Sequence, residues 1–358
     1  MPAAIERVAN HPLFNQIREY LFPESDPITF REHFLSIQST YDFQHQIMLK
    51  AIHSIIDKTS SGLTEEGFEL LDKDHCYMFI ANHRDILLDA AILQILLDKY
   101  GLDTSEITFG NNLMQGQLAT DLGKMNKMFK ISRGGTMHDF YRNSMEVSSY
   151  MRYALLQKHQ SVWIAQRNGR TKDGDDITDS AVLKMFSLSS TKPFTENLSE
   201  LNITPIVISY EYEPCDFLKT QELYISQYQK YIKEPGEDMH SIQKGIIQFK
   251  GKIHLAVTPT ITKEEIYECE KLEKRQRFTQ LAQIIDHRIY SKYKLFKNNY
   301  IAYDLMNNTQ EFSHCYTPAD REQFIHYMHD GIQRLQGERD ELINIFLGIY
   351  ANPIHHCK

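Results

Sequence analysis

This sequence predicts an α/β fold: a mainly parallel central sheet flanked by helices, with helical N- and C-terminal regions. Two observations carry that expectation. Short apolar runs recur at residues 76–81, 107–109, 128–131, 161–165, 203–212 and 252–259, and helical patterns over 86–100 and 143–157 separate several of them. Alternating strands and helices are most simply accommodated as a parallel sheet with helices packed on its faces. The chain has 358 residues, 42% of them apolar and 24% charged. That is the composition of a folded globular protein, with room for one large domain with appendages or for two domains.

In chain order, apolar residues from Phe30 to Ile56 recur at three- and four-residue spacings, which predicts a long amphipathic helix over residues 29–58 and a mostly helical region over 1–73. The six apolar runs read as buried strands and define an α/β core over 74–260. Beyond 261 the text turns charged and periodic again, with Ile266, Leu272, Phe278, Leu281, Ile284, Ile285 and Ile289 as core positions of a helical region over 261–358. Thr317, Pro318 and Asp320 supply a capping hydroxyl, a first-turn proline and a capping acid for a helix running to about Leu335. Gly337 then breaks the chain before a last helix over 338–350, and His355-His356-Cys357 reads as a frayed tail.

Lys plus Arg is 39 and Asp plus Glu is 47, a net charge of −8 that argues against a nucleic-acid partner. The five cysteines are far apart and form no C-x-x-C pair, so reduced thiols and no structural zinc are expected. No secretory signal pattern opens the sequence. The most apolar window, residues 86–97, is interrupted by Asp89 and falls short of the roughly 20 residues a bilayer span needs. A cytoplasmic protein, with peripheral contact at the inner membrane face, is the resulting expectation.

Three strand exits are polar and able to carry chemistry. In Ile80-Ala81-Asn82-His83-Arg84-Asp85-Ile86-Leu87-Leu88-Asp89 a buried strand ends in a histidine with two acids downstream. An imidazole can act as a base near neutral pH, with a carboxylate holding its tautomer, so His83 with Asp89 or Asp85 is a candidate catalytic pair. The structural alternative is that His83 and Asn82 merely cap the next helix. At the second exit Ile131 leads into Ser132-Arg133-Gly134-Gly135, where glycine admits a ligand to the backbone and arginine offers a fork of donors. At the third, Ala165 leads into Gln166-Arg167-Asn168-Gly169-Arg170-Thr171-Lys172, whose cations can converge on an anion. Neither stretch fits a phosphate-loop or dinucleotide pattern. The acids of Tyr210-Glu211-Tyr212-Glu213 read as a solvated strand edge, and Cys215 has no local base to make it a nucleophile.

The order of these blocks resembles the glycerolipid acyltransferase family of glycerol-3-phosphate and lysophosphatidate acyltransferases, in its cytosolic bacterial branch. Asn82 and His83 match the first block, Phe129, Ile131 and Arg133 the second, Gly169 and Arg170 approximately the third, and Pro205 with residues 206–208 the fourth. The resemblance covers about 74–260. Five residues rather than four separate His83 from Asp89, and Asn168 stands where the family has Glu, with Gln166 as a possible substitute in acceptor positioning. The resemblance implies an O-acyltransferase of phospholipid biosynthesis, moving a fatty acyl group from acyl-CoA or acyl carrier protein to the hydroxyl of a glycerophosphate or related lipid acceptor. His83 would be the base, with Asp89 or, failing that, Asp85 as its partner. Asn82, Arg133, Gly134, Gly169, Arg170 and Arg167 would bind substrate. No metal and no cofactor are implied. A catalytically weakened lipid-binding or regulatory protein on the same fold is the alternative.

Overall fold

The computed structural model describes residues 1–111, 113, 116–131 and 136–357. Seven strands form one sheet: β1 (Gly62–Glu66), β2 (Met78–Ala81), β3 (Glu106–Gly110), β4 (Met128–Ile131), β5 (Val162–Ala165), β6 (Ile203–Tyr210) and β7 (Lys252–Val257). Their spatial order is β1-β7-β6-β2-β5-β3-β4. All neighbouring pairs are parallel except β6 with β7, so β1 and β7 run against the other five strands. The α/β class and the mainly parallel sheet are thereby shown.

Alternation along the strands divides the core between the two faces of the sheet. Met78 and Ile80 of β2, Val162 and Ile164 of β5 and Val207 of β6 pack on one face with Met151, Leu183, Leu281, Ile285 and Ile289 of the covering helices. Phe79, Trp163, Ile206 and Ile208 point to the other face, against Ile52, Ile55, Ile92, Leu93 and Leu96. The Lys274–Lys292 helix of the C-terminal region therefore covers the sheet directly. A separate aromatic cluster of Phe324, Phe346 and Tyr350 joins the Lys297–Asn307, Pro318–Ile332 and Arg339–Cys357 helices.

Three features differ from the sequence expectation. The single helix over 29–58 is two: Pro27–Leu35, then a helical stretch from Thr40 to Thr59 with a π-type turn at Gln44–Met48. The Ser39 hydroxyl accepts from Asp42 N at 3.0 Å and donates to Asp42 Oδ2 at 2.6 Å, so the serine starts a new helix inside an uninterrupted apolar rhythm. Second, β1 lies within the region expected to be mostly helical. It is an edge strand, half-exposed and paired only with β7, so its Gly-Leu-Thr-Glu-Glu text carries no apolar run. Third, the tail is not frayed, because the last helix continues to Cys357. The His356 ring lies 4.3 Å from that of Tyr290, and its Nε2 is 2.7 Å from Asp175 Oδ1.

The last helix meets the loop after β5 backbone to backbone. Gly174 has φ +81°, and a Cβ added there would lie 2.2 Å from Ile349 O. Gly174→Ala is expected to cost about 2–3 kcal/mol, as overpacking against a fixed backbone does. Gly348→Ala, whose Cβ would meet nothing within 4 Å, should be neutral or gain up to about 1 kcal/mol from better helix propensity. Urea unfolding midpoints of the two variants decide, and equal effects would contradict the contact.

Candidate active site

β2, β3, β4 and β5 are parallel, so the exits after Ala81, Gly110, Ile131 and Ala165 lie along one edge of the sheet. Ligand sites of α/β sheets lie at such carboxyl ends. Here the chain after β2 wraps around a single carboxylate. Asp89, in the first turn of the Leu88–Lys99 helix and only 2% exposed, accepts at Oδ2 from His83 Nδ1 at 2.9 Å, Arg84 N at 2.6 Å and Asp85 N at 2.9 Å. Its Oδ1 accepts from the Tyr210 hydroxyl at 2.7 Å. The five residues between histidine and acid form this turn, which closes on the acid it encloses. A carboxylate bound to Nδ1 fixes that nitrogen as the N–H, leaving Nε2 as the basic nitrogen.

Asp85 does a different job. Its Oδ1 accepts from Leu87 N at 2.9 Å and Leu88 N at 2.7 Å, closing the turn into the helix, and it makes no hydrogen bond with His83. Asp85 Oδ2 is buried without a hydrogen-bond partner among the described residues. Gly245 leaves it room, for a Cβ there would sit 2.2 Å from that oxygen. Burial, and then the negative charge of Asp89, raise the Asp85 carboxyl above the ordinary aspartate value.

Beside the His83–Asp89 pair runs an open groove. Its apolar lining comes from Ile86, Leu87 and Ala90 after β2 and from Ile107, Phe109, Met128 and Ile131 of β3 and β4. His83, Trp163, Gly169 and Arg170 close its polar end, with Lys233 and Asp238, themselves ion-paired, also on its lining. The Trp163 ring meets His83 edge-on at 5.5 Å. Gly169 has φ +79° and open space where a Cβ would be, so the backbone there lies bare to the groove. Arg170 carries a buried Nη1 with no hydrogen-bond partner among the described residues.

Not every expected contact is made. Asn82, expected to bind substrate, is fully buried: its amide donates to Ile208 O at 3.0 Å and accepts from Ile208 N at 2.8 Å, stitching the exit of β2 to β6. Its Nδ2 also donates to Asp176 Oδ2 at 2.9 Å. Arg167 lies outside the groove lining and makes a weak 3.4 Å contact with Asp175 O, and Lys172 pairs with Glu222. Arg133 and Gly134 lie outside the described residues. Cys215 is buried, and desolvation raises its thiol above the ordinary cysteine value.

The acids after β6 are not a solvated edge. Glu211 and Glu213 are 6% and 4% exposed, and Glu213 is held by two buried cations, Arg84 at 3.2 Å and Lys219. The Arg84 guanidinium also donates to Asp176 Oδ2 through Nε at 3.1 Å and Nη2 at 2.6 Å, and lies 5.4 Å from the Tyr293 ring centre. Lys219 donates to Arg84 O at 2.8 Å. Asp176, Glu213, Lys219 and Tyr210 were missed as site residues. The signal available was that two acids in an apolar strand exit need cations, and Arg84 is the one beside His83.

No family model matches this chain, and no curated protein does. Among solved structures, that of the 1-acyl-sn-glycerophosphate (LPA) acyltransferase PlsC from Thermotoga maritima is similar at 12% identity, covering 80% of this chain and 91% of that one with a TM-score of 0.39.

The buried ion cluster is directly testable. Arg84→Met leaves Asp176 and Glu213 short of a desolvated cation and is expected to cost about 3–5 kcal/mol, whereas Lys172→Met, which breaks a partly exposed pair, should cost under about 1 kcal/mol. Equilibrium urea unfolding measures both, and an Arg84→Met variant as stable as the native chain would refute the assignment.

Proposed function

We propose that this chain is an O-acyltransferase that moves a fatty acyl group from a thioester, acyl-CoA or acyl carrier protein, to a hydroxyl of a glycerophosphate or related lipid acceptor. The observation that carries the reading is a histidine held by a buried carboxylate where an apolar groove meets an arginine. His83 Nε2 takes the acceptor's hydroxyl proton as the oxygen attacks the thioester carbonyl. The tetrahedral adduct then expels the thiolate, which recovers the proton from His83, leaving ester and thiol. Asp89 keeps the ring's Nδ1–H in place throughout. Arg170 holds the acceptor's phosphate, with Arg133 assigned the same task by the sequence resemblance; a charge-assisted, geometrically fixed anion places the hydroxyl against the carbonyl. The apolar walls suit an acyl chain.

Among the described residues no helix is long and apolar enough to cross a membrane, and no group of three or more His, Cys, Asp or Glu side chains is placed to hold a metal ion. The reaction as written needs neither metal nor cofactor. A lipid acceptor places the work at a bilayer surface, and we assign the protein a peripheral contact with the cytoplasmic membrane face. It is expected to float with anionic liposomes at low ionic strength, and failure to float at any ionic strength removes that contact.

Thiol release from acyl-CoA and from acyl carrier protein, with glycerol 3-phosphate and lysophosphatidate as acceptors, tests the chemistry. His83→Ala is expected to lower turnover by about 10²- to 10⁴-fold with the acceptor KM little changed. Asp89→Asn should reproduce much of that loss, while Asp85→Asn, which keeps the turn-closing oxygen, should stay close to native turnover. A folded His83→Ala variant with normal turnover would sink the mechanism. Acceptor-lipid binding with no thioester loss would support a binding or regulatory role instead.

A further inference from the structure

Tyr210 closes β6, the strand beside β2, and is 2% exposed. Its hydroxyl donates to Asp89 Oδ1 at 2.7 Å, while Oδ2 of the same carboxylate accepts from His83 Nδ1 at 2.9 Å. One carboxylate thus divides its oxygens between a phenol on one side and the imidazole with two backbone amides on the other. Burial, and then the negative charge of Asp89, push the phenol well above its ordinary value, so it remains a donor at any working pH. Asp85 and Glu213 also bear on Tyr210, and Glu213 is neutralised by Arg84 and Lys219. On its other side the His83 ring meets the Trp163 edge and shares the groove lining with Arg170.

We infer that Tyr210 is a positioning residue that tunes the base His83 through Asp89, making a three-member His83–Asp89–Tyr210 relay; the inference rests on the acyltransfer reading. Two physical effects make up that role. The phenol fixes the plane of the carboxylate, so that Oδ2 rather than Oδ1 faces the ring. It also draws off part of the carboxylate's negative charge, which loosens the hold of Asp89 on an imidazolium proton. A looser hold favours the neutral ring before attack and release of the proton to the departing thiolate afterwards.

Tyr210→Phe removes the hydroxyl and keeps the ring. It is expected to lower kcat about tenfold, the worth of one hydrogen bond to a charged group, with KM unchanged. The acid limb of the kcat/KM profile should move to higher pH. In an Asp89→Asn background the same change should cost nothing further, because the residue acts only through that carboxylate. A second readout is independent of turnover: the rate at which diethyl pyrocarbonate modifies His83, followed by peptide mass spectrometry across pH. Its midpoint should rise in Tyr210→Phe and fall when 3-fluorotyrosine, a stronger donor of nearly the same size, is incorporated at position 210. If Tyr210→Phe does not fold, the fluorinated protein decides alone. An unmoved modification midpoint, or the same loss of kcat with Asp89 and with Asn at position 89, overturns the relay. If the native protein consumes no thioester yet the modification midpoint moves as stated, the acyltransfer reading fails and the relay stands.

Discussion

The arrangement around His83 depends on keeping the Arg84 guanidinium out of water. A buried cation of that size is tolerable only when its donors are met by acids and carbonyls, because desolvation alone costs several kcal/mol. Its partners, Asp176, Gly174 O and Glu213, come from two other segments of the chain, the loop after β5 and the exit of β6. Satisfying one side chain therefore draws three strand exits together. Because His83 directly precedes Arg84, the candidate base is pinned by the same event, with His83 O accepting from Thr171 N at 2.7 Å. The ion cluster contributes position more than net stability, since a well-packed apolar replacement of all its members could be equally stable without fixing the histidine.

What the sequence made legible follows from how local each signal is. The central strands were readable because a strand covered on both faces must be apolar throughout, as in Met78–Ala81 and Val162–Ala165. Edge strand β1 is half-exposed, with Leu63 packed on the core, and left no such mark. The pairing of His83 with Asp89 was visible as spacing, and the turn between them settles it over Asp85 because the backbone amides of Arg84 and Asp85 reach the same Asp89 oxygen. Glu213 and Tyr210 were not visible as site residues: Arg84 and Asp89 lie 129 and 121 positions away, Lys219 six positions after Glu213 looks like any surface lysine, and an alternation of Tyr and Glu looks the same beside water as beside buried cations. The partners of Asn82 were hidden for a related reason. Its amide imitates a backbone unit for a neighbouring strand whose identity only the fold reveals.

The site also shows a division between its two sides. Toward β3 and β4 the groove is lined by aliphatic and aromatic side chains; toward the loop after β5 it carries a bare glycine and an arginine with unspent hydrogen-bonding capacity. Most buried polar atoms in folded proteins find partners, so unpartnered ones beside a groove are places where bound molecules or solvent can complete the set. Asp85 Oδ2 and Gln166 Nε2, also without a hydrogen-bond partner among the described residues, lie on the same strand exits as His83 and Arg170 but outside the groove lining. The apolar wall and the polar end meet at the histidine.

The docking of the last helix ties these contacts to the far end of the described chain. Tyr350 accepts from Glu213 N at 3.0 Å and donates to Asp216 Oδ2 at 2.7 Å, and its carbonyl accepts from Asn299 at 2.8 Å, so the exit of β6 is braced by residues far along the chain. Glu213 is thereby shared: its backbone N–H is fixed by the last helix and its carboxylate by Arg84 and Lys219. A substitution that unseats the last helix, far from the groove in sequence, therefore reaches Glu213 and through it Arg84, the residue next to His83.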